Sequence, residues 1–276
     1  MKQLTLSVEE VLKGYDAVWP LYPYVPPMNL WRAWEYIAYK RYVLPEPMLD
    51  IGCGDGGFFR LIWPDIKKVV GVDREPAVVK AAEQSGIYSQ VYLTEAHQLA
   101  VPPESFASAF ANCSLEHMSH LPEVLKIIYH SLQPGGLFLF SVVTDKFIKW
   151  ASLPLLIAEM GDQNWSQKLQ DAHEIYHHLV NPLPNAEWVK QLEMTGFEVI
   201  DLISIMPELT SKLFLFLDNT WHVKNPRGEI GDALHGYLSK IPNFPQAFRE
   251  IFSGILKMER DWNVGSGTVF LARKTK

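Results

Sequence analysis

The clearest pattern in the chain is an alternation of short apolar runs with amphipathic stretches between residues 46 and 144. Short apolar runs bounded by turn residues predict buried strands, and apolar positions at helical spacing predict helices. Strands that alternate with helices indicate a parallel sheet that is covered by helices on both faces. The predicted strands are 47–51, 68–73, 90–93, 105–112 and 137–143, and the predicted helices are 58–62, 76–85 and 121–131.

Two further helices and an irregular segment are predicted before the first strand of this alternating region. One helix is predicted over 7–15, because Ser7 and Glu10 have the spacing of a capping box. A second helix is predicted over 29–42. The prolines of the segment 19–27 argue against a regular helix or a central strand there.

Aromatic side chains cluster in this N-terminal region, outside the alternating part of the chain. Ligand clefts are commonly lined by aromatic rings. We therefore expect residues 1–45 to form a lid in which Trp19, Tyr22 and Tyr24 contact a substrate. The alternative is that these rings only cover an edge of the sheet. Tyr176, in a later helical segment, is a fourth candidate for substrate contact.

The alternation is interrupted twice after residue 144 by segments that are predicted to be helical but irregular. Between them, Asn185 can cap a helix over 186–195, Gly196 can end that helix, and a strand is predicted over 197–206. A last strand is predicted over 267–274. The resulting organisation is an N-terminal lid over 1–45, a parallel-sheet core over 46–144, a helical insert over 145–182, a core helix and strand over 183–207, a second insert that caps the substrate over 208–262, and a final core strand over 263–276.

Composition and charge exclude several functional classes. The 276-residue chain is 48% hydrophobic with a net charge of −6, which is typical of a globular protein and lacks the basic surface of nucleic-acid binders. Cys53 and Cys113, at the ends of predicted strands, form no disulfide framework, which indicates a reducing compartment. No signal peptide and no membrane-spanning run is predicted. We expect a cytoplasmic protein without stable membrane insertion or a nucleic-acid partner.

Gly52, Gly54, Gly56 and Gly57 directly follow the first strand of the alternating region. A strand, a tight glycine turn and a helix start form a cradle for a nucleotide-like ligand, because glycine lets a ligand approach the backbone. Two patterns fit this turn, namely G-x-G-x-x-G of dinucleotide-binding proteins and D-x-G-x-G-x-G, which includes Asp50 at the end of the strand. The glycines alone do not decide between the two, so a nicotinamide-dependent oxidoreductase is one alternative.

Three more motifs follow the glycine turn in order. They are Glu95-Ala96 with Leu99, Phe106 followed by Leu115-Glu116-His117, and Pro134-Gly135-Gly136 before an apolar strand. Together with Asp50 and the glycines, they resemble the class I S-adenosylmethionine (SAM) methyltransferases, most of all the small-molecule enzymes of the ubiquinone-biosynthesis type. An acid at the end of the first strand suits a ligand with a positively charged amino-acid end and would repel a pyrophosphate.

The resemblance implies a Rossmann-like, doubly wound sheet of seven strands in the order 3-2-1-4-5-7-6, with the last strand antiparallel, and SAM as the cofactor. Asp73 has the spacing at which a carboxylate meets a ribose, although it can also simply cap the next helix. By the resemblance, Glu95 would accept from the adenine amino group beside the N–H of Ala96, and Asn112 would lie near the methyl group. The predicted cofactor-binding residues are Asp50, Gly52, Cys53, Gly54, Gly56, Asp73, Arg74, Glu95, Ala96 and Asn112.

The implied reaction is methyl transfer by in-line displacement to a nucleophilic O, N or C atom. The aromatic inserts and the acidic charge favour a fairly hydrophobic small molecule, such as a secondary metabolite, a quinone or lipid-like acceptor, or a decorated sugar. His117 is the first candidate for a general base, followed by His173 and His177, because a neutral imidazole accepts a proton near neutral pH. The alternative for His117 is a structural role beside Glu116. The sequence makes no prediction of the oligomeric state.

Residues 173–177, His-Glu-Ile-Tyr-His, fit the H-E-x-x-H motif of zinc hydrolases. On a helix, His173 and His177 share one face, as a zinc site requires. A catalytic zinc also needs a third protein ligand, and no evident partner follows in the sequence, so we predict no metal. A zinc hydrolase is kept as an alternative, as is a SAM-binding protein without catalysis, because Ala107 and Glu95 depart from the family pattern.

Overall fold

An eight-stranded sheet is the centre of the computed structural model, which describes residues 1–226 and 228–275. The described strands are β1 (Lys2–Leu4), β2 (Met48–Ile51), β3 (Val69–Asp73), β4 (Gln90–Leu93), β5 (Phe106–Asn112), β6 (Leu132–Val143), β7 (Phe197–Ile205), β8 (Lys224–Asn225), β9 (Gly228–Glu229) and β10 (Gly267–Lys274). The described α-helices are α1 (Val8–Val18), α2 (Pro26–Tyr39), α3 (Gly57–Ile62), α4 (Pro76–Ser85), α5 (Leu121–Ser131), α6 (Asp145–Lys149), α7 (Ser152–Glu159), α8 (Gln163–Tyr176), α9 (Asn185–Thr195), α10 (Glu208–Trp221), α11 (Ile230–Leu238) and α12 (Phe244–Met258). Short 3-10 helices cover Ala96–Gln98 and Leu115–His117, and β8 pairs with β9 in a separate ribbon.

The strands of the large sheet lie in the order β1-β7-β10-β6-β5-β2-β3-β4. The strands from β2 to β6 pair in parallel, and β10 is antiparallel to both β6 and β7. The doubly wound fold is confirmed, and the seven predicted strands have the predicted order. The predicted count of seven is wrong, because Lys2–Leu4 pairs in parallel with β7 as an eighth, edge strand. Three residues are too few to show a strand pattern in the sequence.

Two of the predicted capping residues, Ser7 and Gly196, set element boundaries, whereas the predicted cap Asn185 is wrong, because α9 begins at Asn185 and no side chain caps it. Ser7 caps α1 through the predicted capping box, in which its hydroxyl accepts from the Glu10 amide at 3.3 Å. Gly196 ends α9 with φ at +105°. The boundary of α2 is a correction, because this helix begins at Pro26, inside the segment expected to be irregular. Proline is favoured at the first helical positions, where its missing N–H has no helical partner.

Apolar side chains cover both faces of the sheet, so the core has two layers. Phe110 of β5 belongs to the layer that includes α1, α2 and α12, whereas its neighbours Ala109 and Ala111 belong to the layer that includes α5 and α9. Successive side chains of a strand point to opposite faces. Helices on both faces of the sheet are therefore confirmed.

The two inserts are largely helical, and α10 packs against α2 and α7. The apolar run 212–217 lies in α10, where Phe214 and Leu215 are buried but Phe216 is 48% exposed. A helix turns successive side chains to different sides, which separates the members of a continuous apolar run. Among the described residues, no helix has the length and apolar character to cross a bilayer.

Candidate active site

Two cavities lie at the carboxyl ends of β2, β3 and β5. The larger has a volume of about 460 Å³ and the smaller a volume of about 150 Å³. Gly52 and Asn112 line both cavities, so the two meet at the ends of β2 and β5. The chain winds in opposite directions on either side of these two strands, which is where open α/β sheets bind ligands.

The turn between β2 and α3 presents backbone to the smaller cavity. The amides of Gly52 and Cys53 both donate to the carbonyl of Val72, at 2.8 and 3.0 Å, and fix the turn against β3. Gly52 and Gly54 have φ of +71° and +57°, a region that favours glycine. A Cβ on Gly54 would meet no atom within 4 Å, so this backbone faces open space. Cys53, Gly54 and Gly56 all line the smaller cavity.

Asp50, the predicted acid at the end of β2, is buried and lines the smaller cavity. Its carboxylate accepts a hydrogen bond from the hydroxyl of Tyr88 at 2.8 Å. Burial raises the pKa of Asp50 to about 7; the Tyr88 hydrogen bond opposes this rise and the charge of Asp73 adds to it. A cationic group in this cavity would stabilise the charged carboxylate, so the geometry suits an ammonium group.

Asp73 lies at the end of β3 and lines the larger cavity. One of its carboxylate oxygens accepts from the amide of Gly54 at 3.2 Å, and the other accepts from the amide of Glu75 at 3.1 Å, directly before α4. The second contact closes a turn before α4 and is not a helix cap, because Glu75 is the N-cap of α4 and no side chain caps this helix, so the helix-capping alternative is not observed. A carboxylate has about four acceptor positions, so two remain for the hydroxyls of a ribose.

Three predicted nucleoside contacts line the larger cavity together with Asp73. They are Arg74, Glu95 and Ala96. Arg74 and Glu95 are both about half exposed, and their charged groups are 3.8 Å apart. An ion pair that is this exposed contributes little to stability, so it does not prevent Glu95 from accepting a hydrogen bond from a ligand.

Arg32 of α2 forms a wall of the smaller cavity, and the sequence pattern did not single it out. Its guanidinium pairs with the buried Glu35 and lies 5.0 Å from the ring centre of Phe58. Its buried Nε has no hydrogen-bond partner among the described residues. A guanidinium with an unused donor suits a carboxylate ligand. The one signal in the sequence is a charged residue between Trp31 and Trp34 in an aromatic helix.

The four aromatic residues predicted to contact substrate do not lie together. Tyr176 lines the larger cavity and Tyr22 lines the smaller one. Trp19 and Tyr24 line neither cavity, because both pack against Phe244 of α12, with ring centres 6.1 and 6.4 Å away. These two rings join the N-terminal helices to the second insert.

The end of β5 is held in place where the two cavities meet. Asn112 accepts a hydrogen bond from the hydroxyl of Tyr39 at 2.9 Å, which fixes its amide. Cys113 follows with φ at +44°, a strained conformation for a residue other than glycine, and it lines the larger cavity. Its free thiol donates to the Glu35 carboxylate at 2.9 Å, and burial raises the pKa of this thiol. The wall beside Asn112 therefore carries a neutral thiol.

His117 lies in the 3-10 helix after β5 and lines the larger cavity. Its Nδ1–H donates to the carbonyl of His178 at 3.2 Å, because a carbonyl oxygen can only accept. The proton is thereby placed on Nδ1, and Nε2 keeps its lone pair. Burial lowers the pKa of His117 from its ordinary value of 6.5. The residue is therefore a neutral imidazole at pH 7, the form that accepts a proton.

The other two histidines proposed as bases differ in their access to this cavity. His177 lines the larger cavity, with its Nε2 2.9 Å from a carboxylate oxygen of Asp218. His173 is buried, stacks on Phe147 and lines neither cavity. The structure therefore brings His117 and His177 to one cavity and places His173 behind them.

The position of Asp218 corrects the prediction that the H-E-x-x-H motif has no third ligand. No third ligand was expected for the H-E-x-x-H motif, but the fold brings the Asp218 carboxylate within 4.8 Å of ring nitrogens of His173 and His177. Asp218 lies on α10, 41 residues after His177 and without a motif of its own, so no pattern in the sequence pointed to it. Glu174, the base of a zinc hydrolase, lines neither cavity.

Comparison with known families decides the classification. Residues 32–202, more than half of the chain, match the family described as methyltransferase domain. The chain belongs to this methyltransferase family. The predicted resemblance is confirmed, and with it SAM as the cofactor.

Individual relatives of this chain are distant. The malonyl-[acyl-carrier protein] O-methyltransferase of Serratia marcescens is 31% identical over 128 residues, 46% of this chain and 46% of the relative. The ubiquinone biosynthesis O-methyltransferase of Xylella fastidiosa is 23% identical over 56% of this chain and 63% of the relative. The chain therefore spans about half the length of the curated relatives it matches.

A solved structure agrees with the fold. Phosphoethanolamine N-methyltransferase 2 of Haemonchus contortus, in complex with phosphomonomethylethanolamine and S-adenosylhomocysteine, matches with a TM-score of 0.55 and 18% identity, over 96% of this chain and 58% of that one. At this identity the likeness shows the fold alone.

The residues of both cavities fit the cofactor of the family. The backbone at Gly54 faces open space, and the Nε of Arg32 is an unused donor among the described residues. Asp50 and Asp73 are placed for an ammonium group and for ribose hydroxyls. SAM has a zwitterionic amino-acid end and a nucleoside end. The charged groups of the smaller cavity suit the first, and those of the larger cavity suit the second.

Proposed function

We propose that this protein transfers the methyl group of SAM to a hydroxyl group of an uncharged, fairly hydrophobic small molecule. Two cavities that meet at Gly52 and Asn112 support the proposal. The smaller cavity is lined by charged groups of both signs. One end of the larger cavity suits a nucleoside, and its other end is lined by histidines and a tyrosine. Acceptors that lose a proton during transfer need a base beside them.

The cofactor would be held by charged groups at its two ends. In this arrangement Arg32 binds the carboxylate and Asp50 the ammonium of the amino-acid end, while Asp73 binds the ribose and Glu95 with Ala96 binds the adenine. SAM supplies a methyl group on a sulfonium, which an acceptor removes by in-line displacement. These five residues would fix the orientation of the cofactor before the reaction, which is one part of the positioning that lowers the barrier when both reactants are held.

The acceptor end of the larger cavity favours an uncharged molecule. It is lined by Asn112, Cys113, Ser114, His117, Met118, Tyr176, His177 and His178. Within the described residues, the Asp, Glu, Arg and Lys side chains that line this cavity are Asp73, Arg74 and Glu95, which we assign to the nucleoside end. A charged acceptor would lose hydration without gaining a partner. A hydroxyl on an apolar scaffold has no such cost.

His117 is the residue that we assign as proton acceptor. Its Nδ1–H is held by a backbone carbonyl, and its lowered pKa keeps Nε2 unprotonated at pH 7. His177 lines the same cavity, but its Nε2 is hydrogen-bonded to the carboxylate of Asp218. The preference for His117 rests on this difference.

Two alternatives make different predictions for ligand binding. A nicotinamide-dependent oxidoreductase would place a pyrophosphate at the glycine turn, next to the buried carboxylate of Asp50. The like charges make that arrangement unfavourable. A SAM-binding protein without catalysis would bind the cofactor product but would methylate nothing.

Calorimetric titration with S-adenosylhomocysteine and, in parallel, with NADH tests the cofactor. We expect micromolar binding of S-adenosylhomocysteine and no binding of NADH. Transfer of radiolabel from methyl-labelled SAM to a panel of uncharged phenols and hydroxylated lipids then tests the reaction. Binding of NADH alone would contradict the proposal, and binding of S-adenosylhomocysteine without any labelled product across the panel would favour the non-catalytic alternative.

The His117→Ala variant tests the assigned base. Turnover is expected to fall by about 10²–10⁴-fold because the hydroxyl proton loses its acceptor. Affinity for S-adenosylhomocysteine, measured by calorimetry, should be unchanged. In the wild type, turnover should persist below pH 6.5, the ordinary pKa of histidine, because burial lowers the pKa of His117, and it should decline only at more acidic pH.

The matched control is His130→Ala, which removes an exposed histidine of α5. It should retain both turnover and binding. Near-normal turnover of His117→Ala would remove this residue from the mechanism and would leave His177 as the candidate base.

A further inference from the structure

A second group of polar side chains lies where α8 meets α10, behind the wall of the larger cavity. One ring nitrogen each of His173 and His177 and one carboxylate oxygen of Asp218 lie within 4.8 Å of one another. The closest pair is His177 Nε2 and Asp218 Oδ2, at 2.9 Å. The two histidines come from one turn of chain at the end of α8, and the carboxylate comes from α10, so only the folded protein contains this cluster.

His173 is the most informative member of the cluster, since it is only 4% exposed. Its Nδ1 lies 3.1 Å from the amide oxygen of Asn219, which can only accept, so Nδ1 carries the proton and Nε2 carries a lone pair. In the part of the chain that the structure describes, this buried Nε2 has no hydrogen-bond partner. A buried acceptor without a partner destabilises the folded chain. A ligand at this nitrogen would remove that destabilisation.

Outer contacts hold the candidate ligands in position. Asn219 orients His173, as described above. His222 places its Nε2 3.4 Å from the second carboxylate oxygen of Asp218, and its Nδ1 lies 2.9 Å from Glu229. Hydrogen-bonded partners of this kind are typical of histidine–carboxylate metal sites.

We propose that His173, His177 and Asp218 bind one divalent transition-metal ion of the Zn²⁺ type. Two imidazoles and a carboxylate form a ligand set that Zn²⁺ prefers. Bonds of about 2.0–2.2 Å put the ligand atoms of a tetrahedral ion roughly 3.3–3.5 Å apart. The candidate ligand atoms already lie within 4.8 Å of one another, close to this spacing.

The ion would tie α8 to α10 and would fix His177 in the wall of the larger cavity. Its role is structural, because Glu174, the base that this motif supplies in zinc hydrolases, lines neither cavity. Metal binding does not depend on the proposed methyl transfer. The two proposals can therefore fail separately.

Zinc binding to the full chain tests this site. Purified protein is stripped with EDTA and incubated with ZnCl₂, and bound zinc is measured by elemental analysis and by competition with a chromophoric chelator. We expect about one zinc per chain and a higher Tm in its presence, because a ligand that binds only the folded state stabilises it. X-ray absorption should show nitrogen and oxygen ligands at about 2.0–2.2 Å.

Two ligand variants and one control complete the test. His173→Ala and the isosteric Asp218→Asn should weaken zinc binding by more than the roughly 10–100-fold seen for outer-shell changes. His130→Ala, which removes an exposed histidine of α5, should bind zinc as the wild type does. Circular dichroism of Asp218→Asn checks that a loss of zinc is not a loss of fold.

Less than about one-tenth zinc per chain, sulfur ligands in the absorption spectrum, or unchanged affinity in folded Asp218→Asn would overturn the proposed site. Calorimetry with S-adenosylhomocysteine on the same metal-free sample separates the two proposals. Cofactor binding without zinc binding would overturn only the metal site, and zinc binding without cofactor binding would overturn only the proposed methyl transfer.

Discussion

At the scale of single residues, two carboxylates at the ends of neighbouring strands have different surroundings. Asp50 is buried with one phenol as its partner, whereas Asp73 is partly exposed and accepts two backbone amides. Desolvation disfavours the charged form of a carboxylate, and it raises the pKa of Asp50 to about 7. The Asp50 carboxyl would have to be ionised to bind the ammonium group of the cofactor. In the free protein, that ionised form is destabilising.

We expect Asp50→Asn to stabilise the protein at alkaline pH and to weaken cofactor binding. The folded-state pKa of Asp50, about 7, lies above its ordinary value of 3.8, so the free energy of unfolding falls as pH rises between these values. The full shift corresponds to about 4 kcal/mol at ~1.4 kcal/mol per pKa unit, an upper bound because asparagine also changes the hydrogen bond with Tyr88. Urea unfolding at about pH 5 and about pH 8 measures the gain.

The stabilisation should be about 4 kcal/mol at about pH 8 and only about 1.6 kcal/mol at about pH 5, because at pH 5 the carboxyl is ionised in the unfolded chain but still protonated in the folded one. Asp65→Asn, on an exposed loop, is the control and should not change the pH profile. Equal effects of Asp50→Asn at both pH values would show that Asp50 is not a desolvated carboxylate.

At the scale of elements, the turn between β2 and α3 combines a packing glycine with a ligand-facing glycine. A Cβ on Gly52 would lie 2.5 Å from the Cβ of Ser114, whereas a Cβ on Gly54 would meet no atom within 4 Å. Both residues have positive φ, so a side chain at either position would strain the backbone, at a conformational cost. Only at Gly52 does a clash add to that cost.

We expect Gly54→Ala to fold but to lose most of its affinity for S-adenosylhomocysteine. The strain of a left-handed alanine costs about 1–2 kcal/mol of stability, and the added methyl group occupies ligand space. Gly52→Ala should lower the free energy of unfolding further. Thermal unfolding and calorimetry measure the two effects.

Gly86→Ala is a matched control for the backbone strain. Gly86 ends α4 with φ at +67°, and a Cβ there would also meet no atom within 4 Å. This variant should lose the same stability as Gly54→Ala and should keep its affinity for S-adenosylhomocysteine. Equal affinity of Gly54→Ala and Gly86→Ala would place the ligand elsewhere.

Elements were predictable where local chemistry defines them. The helices Pro76–Ser85 and Leu121–Ser131 and the strands Gln90–Leu93 and Gly267–Lys274 have the predicted bounds. β6 begins at Leu132 rather than at the predicted residue 137. Its first residues have a turn-like sequence, but Leu132 still pairs with β5, beyond an irregularity in the register. That extension depends on a neighbouring strand, so the local pattern could not show it.

At the scale of the whole molecule, an N-terminal helix supplies the charge that completes the smaller cavity. Arg32 comes from α2, yet it faces a cavity built by the turn after β2. We expect Arg32→Lys to weaken S-adenosylhomocysteine binding by about 10–100-fold, because a hydrogen bond between charged groups contributes about 1.5–3 kcal/mol. Lysine keeps a positive charge beside Glu35 but lacks the fork of donors.

Arg249→Gln is the control for this variant, since Arg249 pairs with Asp16 at 2.6 Å and lines none of the described cavities. Calorimetry should give wild-type affinity for it. Unchanged affinity of Arg32→Lys would mean that the carboxylate of the cofactor is bound by another group.

The sequence by itself determined the parallel sheet, the glycine turn and the order of the core strands. These features depend on the periodicity of apolar residues and on glycines and caps, which act over a few neighbouring positions. It also led to Asp50 and Asp73, which lie at the carboxyl ends of β2 and β3, and to His117, which lies in the segment after β5, because these strand ends define the binding edge.

Only the tertiary structure decided which distant side chains meet at that edge. Arg32 meets Asp50 at one cavity, and Asp218 meets His173 and His177 behind the other. Each is a single polar residue on a helix without a motif, and its partner is set by how helices pack on the sheet. Packing of this kind depends on the summed contacts of the whole core, so no short segment of sequence encodes it.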